Sequence, residues 1–426
     1  MAKEKYPKQE HEQEEFSFVK EKIKKQPFYQ NRMVKKACFC VLLAVVSGII
    51  ACFTFVQARP FMERTFGEDE TKTVTIPREE ETTAEEEPSG TPDTVVITEP
   101  RELELEDYGK LYTKLRAVAR DAEKSLVTVT AASSDTDWFN ETYESRQQLS
   151  GLLVGNNGVE LLILTPYGPV QKASHLQVCF TDGTAQDAVL KNYDAVTNLA
   201  VLSVNLADVK DTTLEQIGIA DLGSSRNLKA GEPVIAAGSP AGFASSLKFG
   251  NLLAGSHKVS LTDREYGLLI TDMARSENGT GVLLNLSGQV IGLIEDSCLH
   301  TSNEQALTAY AISDMKDVIE HLMNSQDLVY MGIHGTQVTD EIAAAQGIPK
   351  GVYVSNVEPD SPALNGGIQA GDIITEINGK TVTSVTEIQE MFLKFSKEQT
   401  IQVKVMRHGR EEYKEIVCSV TLDVLK

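Results

Sequence analysis

The stretch Glu277-Asn278-Gly279-Thr280-Gly281-Val282-Leu283-Leu284-Asn285-Leu286-Ser287-Gly288-Gln289-Val290-Ile291-Gly292-Leu293-Ile294 decides the fold class. Two short apolar runs, Val282–Leu284 and Val290–Ile294, flank a polar break that carries Asn and Gly. Runs this short, bounded by turn-formers, read as buried strands. The same pattern extends upstream through Leu126–Thr130, Gly151–Val154, Leu161–Thr165, Leu176–Phe180, Leu199–Val204, Pro233–Ala237 and Leu268–Thr271. Many short strands without regular helices between them predict a mainly β sandwich or barrel. A helix is expected just before them, because Leu111, Leu115, Val118, Ala119 and Ala122 recur at helical spacing between Asp107 and Lys124. A second folded region, from about Val329 onward, mixes short strands with one helical stretch, Val385–Phe395.

Composition bounds the function. The 426 residues hold 40 Lys+Arg and 61 Asp+Glu, a formal charge of −21. Length suggests two or three domains, and 41% apolar content supports real cores. The acidity argues against nucleic-acid binding, which needs a basic surface to displace counterions. Six Cys exclude a disulfide scaffold, and Cys179, Cys298 and Cys418 read as buried free thiols.

Charge is unevenly spread. Residues 1–36 hold ten basic and six acidic side chains, residues 37–58 hold none, and the rest carries 30 − 55 = −25. The uncharged run ACFCVLLAVVSGIIACFTFVQA spans roughly 33 Å as a helix, enough to cross a bilayer. Lys22, Lys24, Lys25, Arg32, Lys35 and Lys36 precede it, so residues 1–36 are expected in the cytoplasm and the bulk outside. A signal peptide cleaved after Val56-Gln57-Ala58 is the competing reading. Residues 59–107, with Glu79-Glu80-Glu81 and Glu85-Glu86-Glu87, are expected to form an acidic, disordered, extended linker.

Several phrases together resemble the HtrA/DegP-type serine proteases. Thr197-Asn198-Leu199-Ala200-Val201-Leu202 is similar to their T-D-L-A-V-L. Gly231-Glu232-Pro233-Val234-Ile235-Ala236 followed by Gly238-Ser239-Pro240-Ala241-Gly242 is similar to G-E-x-V-x-A-x-G-N-P-x-G, and Leu283–Gly292 to L-L-N-x-x-G-x-V-I-G. The resemblance covers about residues 110–424. It implies a trypsin-like double β-barrel followed by a PDZ domain. That family's chemistry needs a Ser hydroxyl, a His to take its proton and an Asp to orient the His. Here the Ser position falls on Gly279, the His position on Gly168 or a close neighbour, and the Asp position on Asn198. His175, Asp194, Ser276 and Thr280 are the nearest substitutes in sequence, and three independent rescues would be needed. The backbone N–H groups of Asn278 and Gly279 are expected to point into the cleft, where they would receive a peptide carbonyl without cutting it.

The second region resembles the family's PDZ domain. Gly351–Ala363 and Gly367–Lys380 follow its V-x-x-V-x-P-x-S-P-A…G-L-x-x-G-D-x-I-x-x-I-N-G run. Ser361-Pro362-Ala363 reads as a helix start, Gly371-Asp372 as a tight turn and Asn378-Gly379 as a two-residue hairpin turn. Tyr330-Met331-Gly332-Ile333 is similar to the family's Y-L-G-I carboxylate-binding loop. The resemblance implies capture of a peptide's terminal carboxylate on its backbone N–H groups, with Gly332 allowing close approach. Met331, Ile333, Ile388, Met391 and Phe392 are expected to line a pocket for the last side chain. His334 reads as a surface residue.

The expected organisation is therefore a basic tail (1–36), a transmembrane helix (37–58), a linker (59–107), a trypsin-like domain (108–326) and an α+β PDZ domain (327–426). The expected role is that of a catalytically degenerate adaptor or regulator in envelope quality control. It would bind peptides or protein C-termini, be anchored by one span, and form the homotrimer the resemblance implies. An active endopeptidase with displaced residues and a structural envelope scaffold are the alternatives. Neither a metal-ligand spacing nor a nucleotide-binding glycine loop occurs, so no metal or cofactor is expected.

Overall fold

Val282 pairs with Leu293 and Leu283 with Gly292, so the two runs that decided the fold class form an antiparallel pair. The computed structural model describes residues 72–78, 104–136, 142–295 and 305–425. The predicted span at 37–58 lies outside them, and no helix among the described residues is long and apolar enough to cross a membrane.

Two β units form the trypsin-like region. The first is a seven-stranded sheet in the order Ala185–Asp187, His175–Cys179, Leu126–Thr136, Thr142–Asn156, Glu160–Pro166, Leu199–Asn205, Val189–Asp194. Its two end strands are joined through the single residue Ala188, so the sheet must curl back on itself. The second is a closed barrel of Arg264–Ala274, Ala306–Ala311, Val290–Ile294, Thr280–Leu284, Pro233–Ser239 and Ser246–Leu261. One apolar cluster joins them. It takes Leu152, Leu162 and Val201 from the first unit and Ile235, Tyr266 and Val282 from the second.

Two helices depart from or extend the sequence reading. Leu105–Glu123 forms as expected, with Ala119 buried, but Leu111 stays half exposed. The expectation of no regular helix after the first strands is corrected by Ile312–Met323. That helix buries Ile312, Met315, Val318, Ile319, Leu322 and Met323 at three- and four-residue intervals. It also corrects the linker. Residues 72–78 do not float but lie against this helix, with Ile76 buried. The Val74 amide donates to Asn324 Oδ1 (3.0 Å), while Asn324 Nδ2 donates to the Val74 carbonyl (2.8 Å). The Ile76 amide donates to Glu320 Oε2 (3.2 Å).

The PDZ sheet runs in the order Ile333–Val338, Gly351–Val357, Ile373–Ile377, Thr400–His408, Tyr413–Thr421. Its turns follow the residues that predict them. Ser361 caps the short helix Pro362–Asn365 by accepting the Leu364 amide. Asn378 and Gly379 take φ of 49° and 77°, and Ile377 pairs with Lys380 across that two-residue turn. Asp372, buried beside Gly371, is clamped by Arg407 through Nε–Oδ1 and Nη2–Oδ2 contacts of 2.7 Å each. Ile333–Val338 ends the sheet order and presents the edge at which a PDZ domain adds a strand.

Replacing Asn324 with Ala removes the clamp on residue 74 while leaving the barrel intact. Native-state hydrogen exchange at the Val74 amide should quicken by about ten- to thirty-fold, the equivalent of roughly 1–2 kcal/mol.

Candidate functional site

A cleft of about 300 Å³ lies where the two β units meet. Its lining includes Gln147, Pro166, Asn198, Arg275, Gly279 and Glu295. The short helix Tyr167–Gln171 carries Gly168, and Tyr167 is held by stacking on Tyr193 at 4.2 Å and 4°. Asn198 follows the tight connection into Leu199–Asn205 with φ of 55°. Its Oδ1 accepts the Gly168 amide (2.8 Å), and its Nδ2 donates to Glu295 Oε2 (3.2 Å). Two of the three positions singled out in the sequence, Gly168 and Asn198, are therefore in direct contact, and the third, Gly279, lines the same cleft.

Gly, Asn and Gly stand at the three positions that the resemblance assigns to Ser, Asp and His chemistry. No histidine is among the cleft's described lining residues. Gly279 sits in a turn whose N–H donates to Ser276 O (2.9 Å). This corrects the expectation that the Gly279 amide points into the cleft, since a spent donor cannot hold an oxyanion. The turn is also closed around glycine: a Cβ at 279 would meet Ser276 O at 2.9 Å and Pro240 O at 3.1 Å.

The sequence neighbours are committed elsewhere. His175 is exposed and paired with Asp187 (3.4 Å) on the far strands of the first sheet. Asp194 is buried, accepting from Thr197 Oγ1 (2.7 Å) and from Arg264 Nη1. The Thr280 hydroxyl accepts the Ser150 amide (2.9 Å). The Ser276 hydroxyl accepts from Lys248 Nζ (2.8 Å), and that ammonium also donates to Ala274 O (2.6 Å). This Ser–Lys contact was not expected from the sequence, because Lys248 is 28 residues away.

The PDZ loop is different, because its donors converge on a real acid. Met331 N donates to Asp263 Oδ2 (2.6 Å), Gly332 N to the same oxygen (2.7 Å) and Ile333 N to Asp263 Oδ1 (2.9 Å). The Asp263 amide in turn donates to Ile333 O (2.7 Å). Gly332 takes φ of 98°, and a Cβ there would lie 2.3 Å from Ser361 Cβ, so only glycine allows this loop. Burial pushes the Asp263 carboxyl above its usual range, against the lowering pull of the three N–H groups and of Arg264. Met331, Ile333, Ile388, Met391 and Phe392 all lie in one buried core. His334, read as a surface residue, is half buried and bonded to Glu358 (2.5 Å).

Sequence reasoning missed Asp263 and Arg264. Asp263 lies in the turn between Ser246–Leu261 and Arg264–Ala274, and Leu261 pairs with Arg264 across it. Arg264 reaches back to Asp194 with both side chains almost wholly buried. The only available signal was a Thr-Asp-Arg turn between strands, which by itself announces a hairpin and nothing about a loop some 70 residues on.

Asn198→Asp places a second carboxyl against Glu295, so the pair's protonation is favoured in the folded state. The variant should be less stable than wild type by about 1–3 kcal/mol at pH 7. The gap should close as pH falls toward about 4, as urea unfolding across that range can measure.

Residues 149–293 match the family model for a trypsin-like peptidase domain, and residues 329–417 that for a PDZ domain. The Do-like serine protease HtrA of Lactococcus lactis subsp. cremoris (strain MG1363) is 28% identical over 315 residues, covering 68% of this chain and 75% of the relative. The HtrA of Lactococcus lactis subsp. lactis (strain IL1403) is 29% identical over 332 residues, covering 72% and 78%. Among solved structures, the HtrA-type protease AlgW with tripeptide superposes with a TM-score of 0.51 at 20% identity, over 74% of this chain and 97% of that one. In domain order, fold and matched family models, the chain is HtrA/DegP-like, a trypsin-like peptidase domain followed by a C-terminal PDZ domain.

Proposed function

We propose that this chain is a membrane-anchored, outward-facing HtrA-like protein that binds protein C-termini through its PDZ domain without cutting them, as an adaptor or regulator in envelope protein quality control. The observation that carries the reading is the convergence of the Met331, Gly332 and Ile333 amides on one carboxylate. Three aligned backbone donors at 2.6–2.9 Å select a carboxylate over an amide or a neutral carbonyl. A terminal carboxylate is the form in which any protein end offers this chemistry, and the adjacent edge strand Ile333–Val338 can add the residues before it. AlgW, whose fold this chain shares, has been solved with a decapeptide and with a tripeptide, which fits the same reading.

The anchor and its orientation rest on the uncharged run 37–58 and the basic residues before it. The loss of cutting rests on the cleft. Without a base beside a nucleophile, turnover falls on the order of a million-fold in a related mechanism, and the Gly279 amide is no longer free for an oxyanion.

A second reading has one observation behind it. Ser276 Oγ and Lys248 Nζ are 2.8 Å apart, the contact a Ser–Lys hydrolase would need. The bond from Lys248 to the Ala274 carbonyl favours the ammonium form, which has no lone pair to accept a proton.

Two measurements separate the readings. The full chain should leave casein intact and remain unlabelled by a fluorophosphonate. Labelling that Ser276→Ala abolishes would replace the non-catalytic reading with the second one. Decapeptides with a free carboxylate should bind, while their C-terminal amides should bind at least about tenfold more weakly, since each charge-assisted bond is worth roughly 1.5–3 kcal/mol. Equal binding of acid and amide would defeat the carboxylate reading.

A further inference from the structure

The acid in the PDZ loop belongs to the chain itself. We propose that Asp263 is a built-in surrogate for a protein C-terminus, so that the hairpin turn of the barrel plugs the carboxylate site and an incoming C-terminus binds by displacing it. This rests on the reading that the loop takes terminal carboxylates.

One residue reproduces both contacts that a peptide's last residue would make. Its carboxylate takes the three loop amides, and its own N–H donates to Ile333 O. The strand before the turn continues the imitation, for Ser260 Oγ donates to Gly335 O (3.3 Å) on the same edge strand. The hairpin also meets the helix Val385–Phe392 from its other strand. It thus lies between the edge strand and the helix that bound a PDZ groove. Asp263 is 1% exposed, and each loop amide has a single hydrogen, already used. A second carboxylate therefore cannot bind beside it, and occupation is exclusive.

The turn itself does not require an acid. Asp263 takes φ of 60°, a left-handed conformation that Gly or Asn adopts at no greater cost. Its carboxylate finds its partners across the domain boundary, not within the turn. The contact is also exchangeable in kind. Docking strips a charged group of water, and a free C-terminus that enters the same amides restores that group to solvent while satisfying the loop equally. In such an arrangement the apparent affinity for an external ligand is reduced by the fraction of molecules that are open.

The test uses the purified full chain and a library of fluorescent decapeptides with a free carboxylate and an apolar last residue. Asp263→Ala should bind these peptides about tenfold or more tightly than wild type, since the competitor is removed. Asp263→Asn, which keeps the shape and loses the charge, should fall between the two and serves if the Ala variant fails to fold. A third readout needs no substitution. Saturating wild type with peptide should speed hydrogen exchange across residues 258–266 as the turn leaves, while the Met331–Ile333 amides stay protected. Unchanged or weaker binding by both variants, or exchange across 258–266 that peptide does not alter, overturns the plug and leaves carboxylate binding standing. Failure of wild type and both variants to prefer acid over amide peptides takes down the parent reading and the plug together.

Discussion

A charge removed from water must find partners or be neutralised, and the turn Leu261–Arg264 removes two at once. Asp263 and Arg264 are both almost fully buried, adjacent in sequence and opposite in charge. They do not pair off alone. Asp263 takes three amides of the PDZ loop, and Arg264 takes Asp194 of the first sheet. Breaking a buried pair of this sort by removing one partner typically costs about 3–5 kcal/mol. One turn of the closed barrel therefore fastens that barrel to both of its neighbours. The arrangement of the three β units depends on satisfying these two side chains.

The same network passes close to the cleft. Asp194 accepts from Thr197 through both the amide and the hydroxyl, at 3.2 and 2.7 Å. Thr197 is fully buried and immediately precedes Asn198, whose side chain bridges the Gly168 amide to Glu295. A chain of packed polar contacts thus runs from the PDZ loop to the floor of the cleft. The two ends use their groups differently. At the loop the donors converge on a carboxylate from another domain, that of Asp263. In the cleft the Gly279 amide and the Asn198 side chain are both satisfied internally.

How much of this the sequence revealed follows from the range of the interactions. Elements set by local rules were legible. The Asn378-Gly379 turn, the Ser361 cap and the Val282–Leu284 strand formed where the residue types require them. The helix Ile312–Met323 was legible in principle, because its buried residues recur every three or four positions, yet it follows directly on the buried strand Ala306–Ala311 with no Gly, Pro or Asn between them to mark the boundary. Ser246–Leu261 escaped because Gly250, Asn251, Gly255 and Lys258 interrupt its apolar pattern. That strand is half of the hairpin that reaches the PDZ loop. The Tyr330–Ile333 loop could be found by its resemblance, but its occupant could not. Nothing in Leu261-Thr262-Asp263-Arg264 distinguishes an ordinary surface turn from one that supplies a buried carboxylate to another domain.

That asymmetry has a physical basis. The proposed loss of cutting rests on side chains that are absent, and the residue types at Gly168, Asn198 and Gly279 can be read from the letters. Closure around Gly279 adds what the letters lack. A serine there would press its Cβ against two carbonyl oxygens, so regaining a hydroxyl requires the turn itself to move. Occupation of the loop is a statement about two surfaces meeting, and its energy comes from bonds between residues that only folding brings together. Because those bonds use the amides proposed to recognise a ligand, the proposed binding site and the domain interface are one surface. On the proposed reading, a partner that enters the loop competes with the fold, and its affinity measures the strength of the domain contact as much as its own fit.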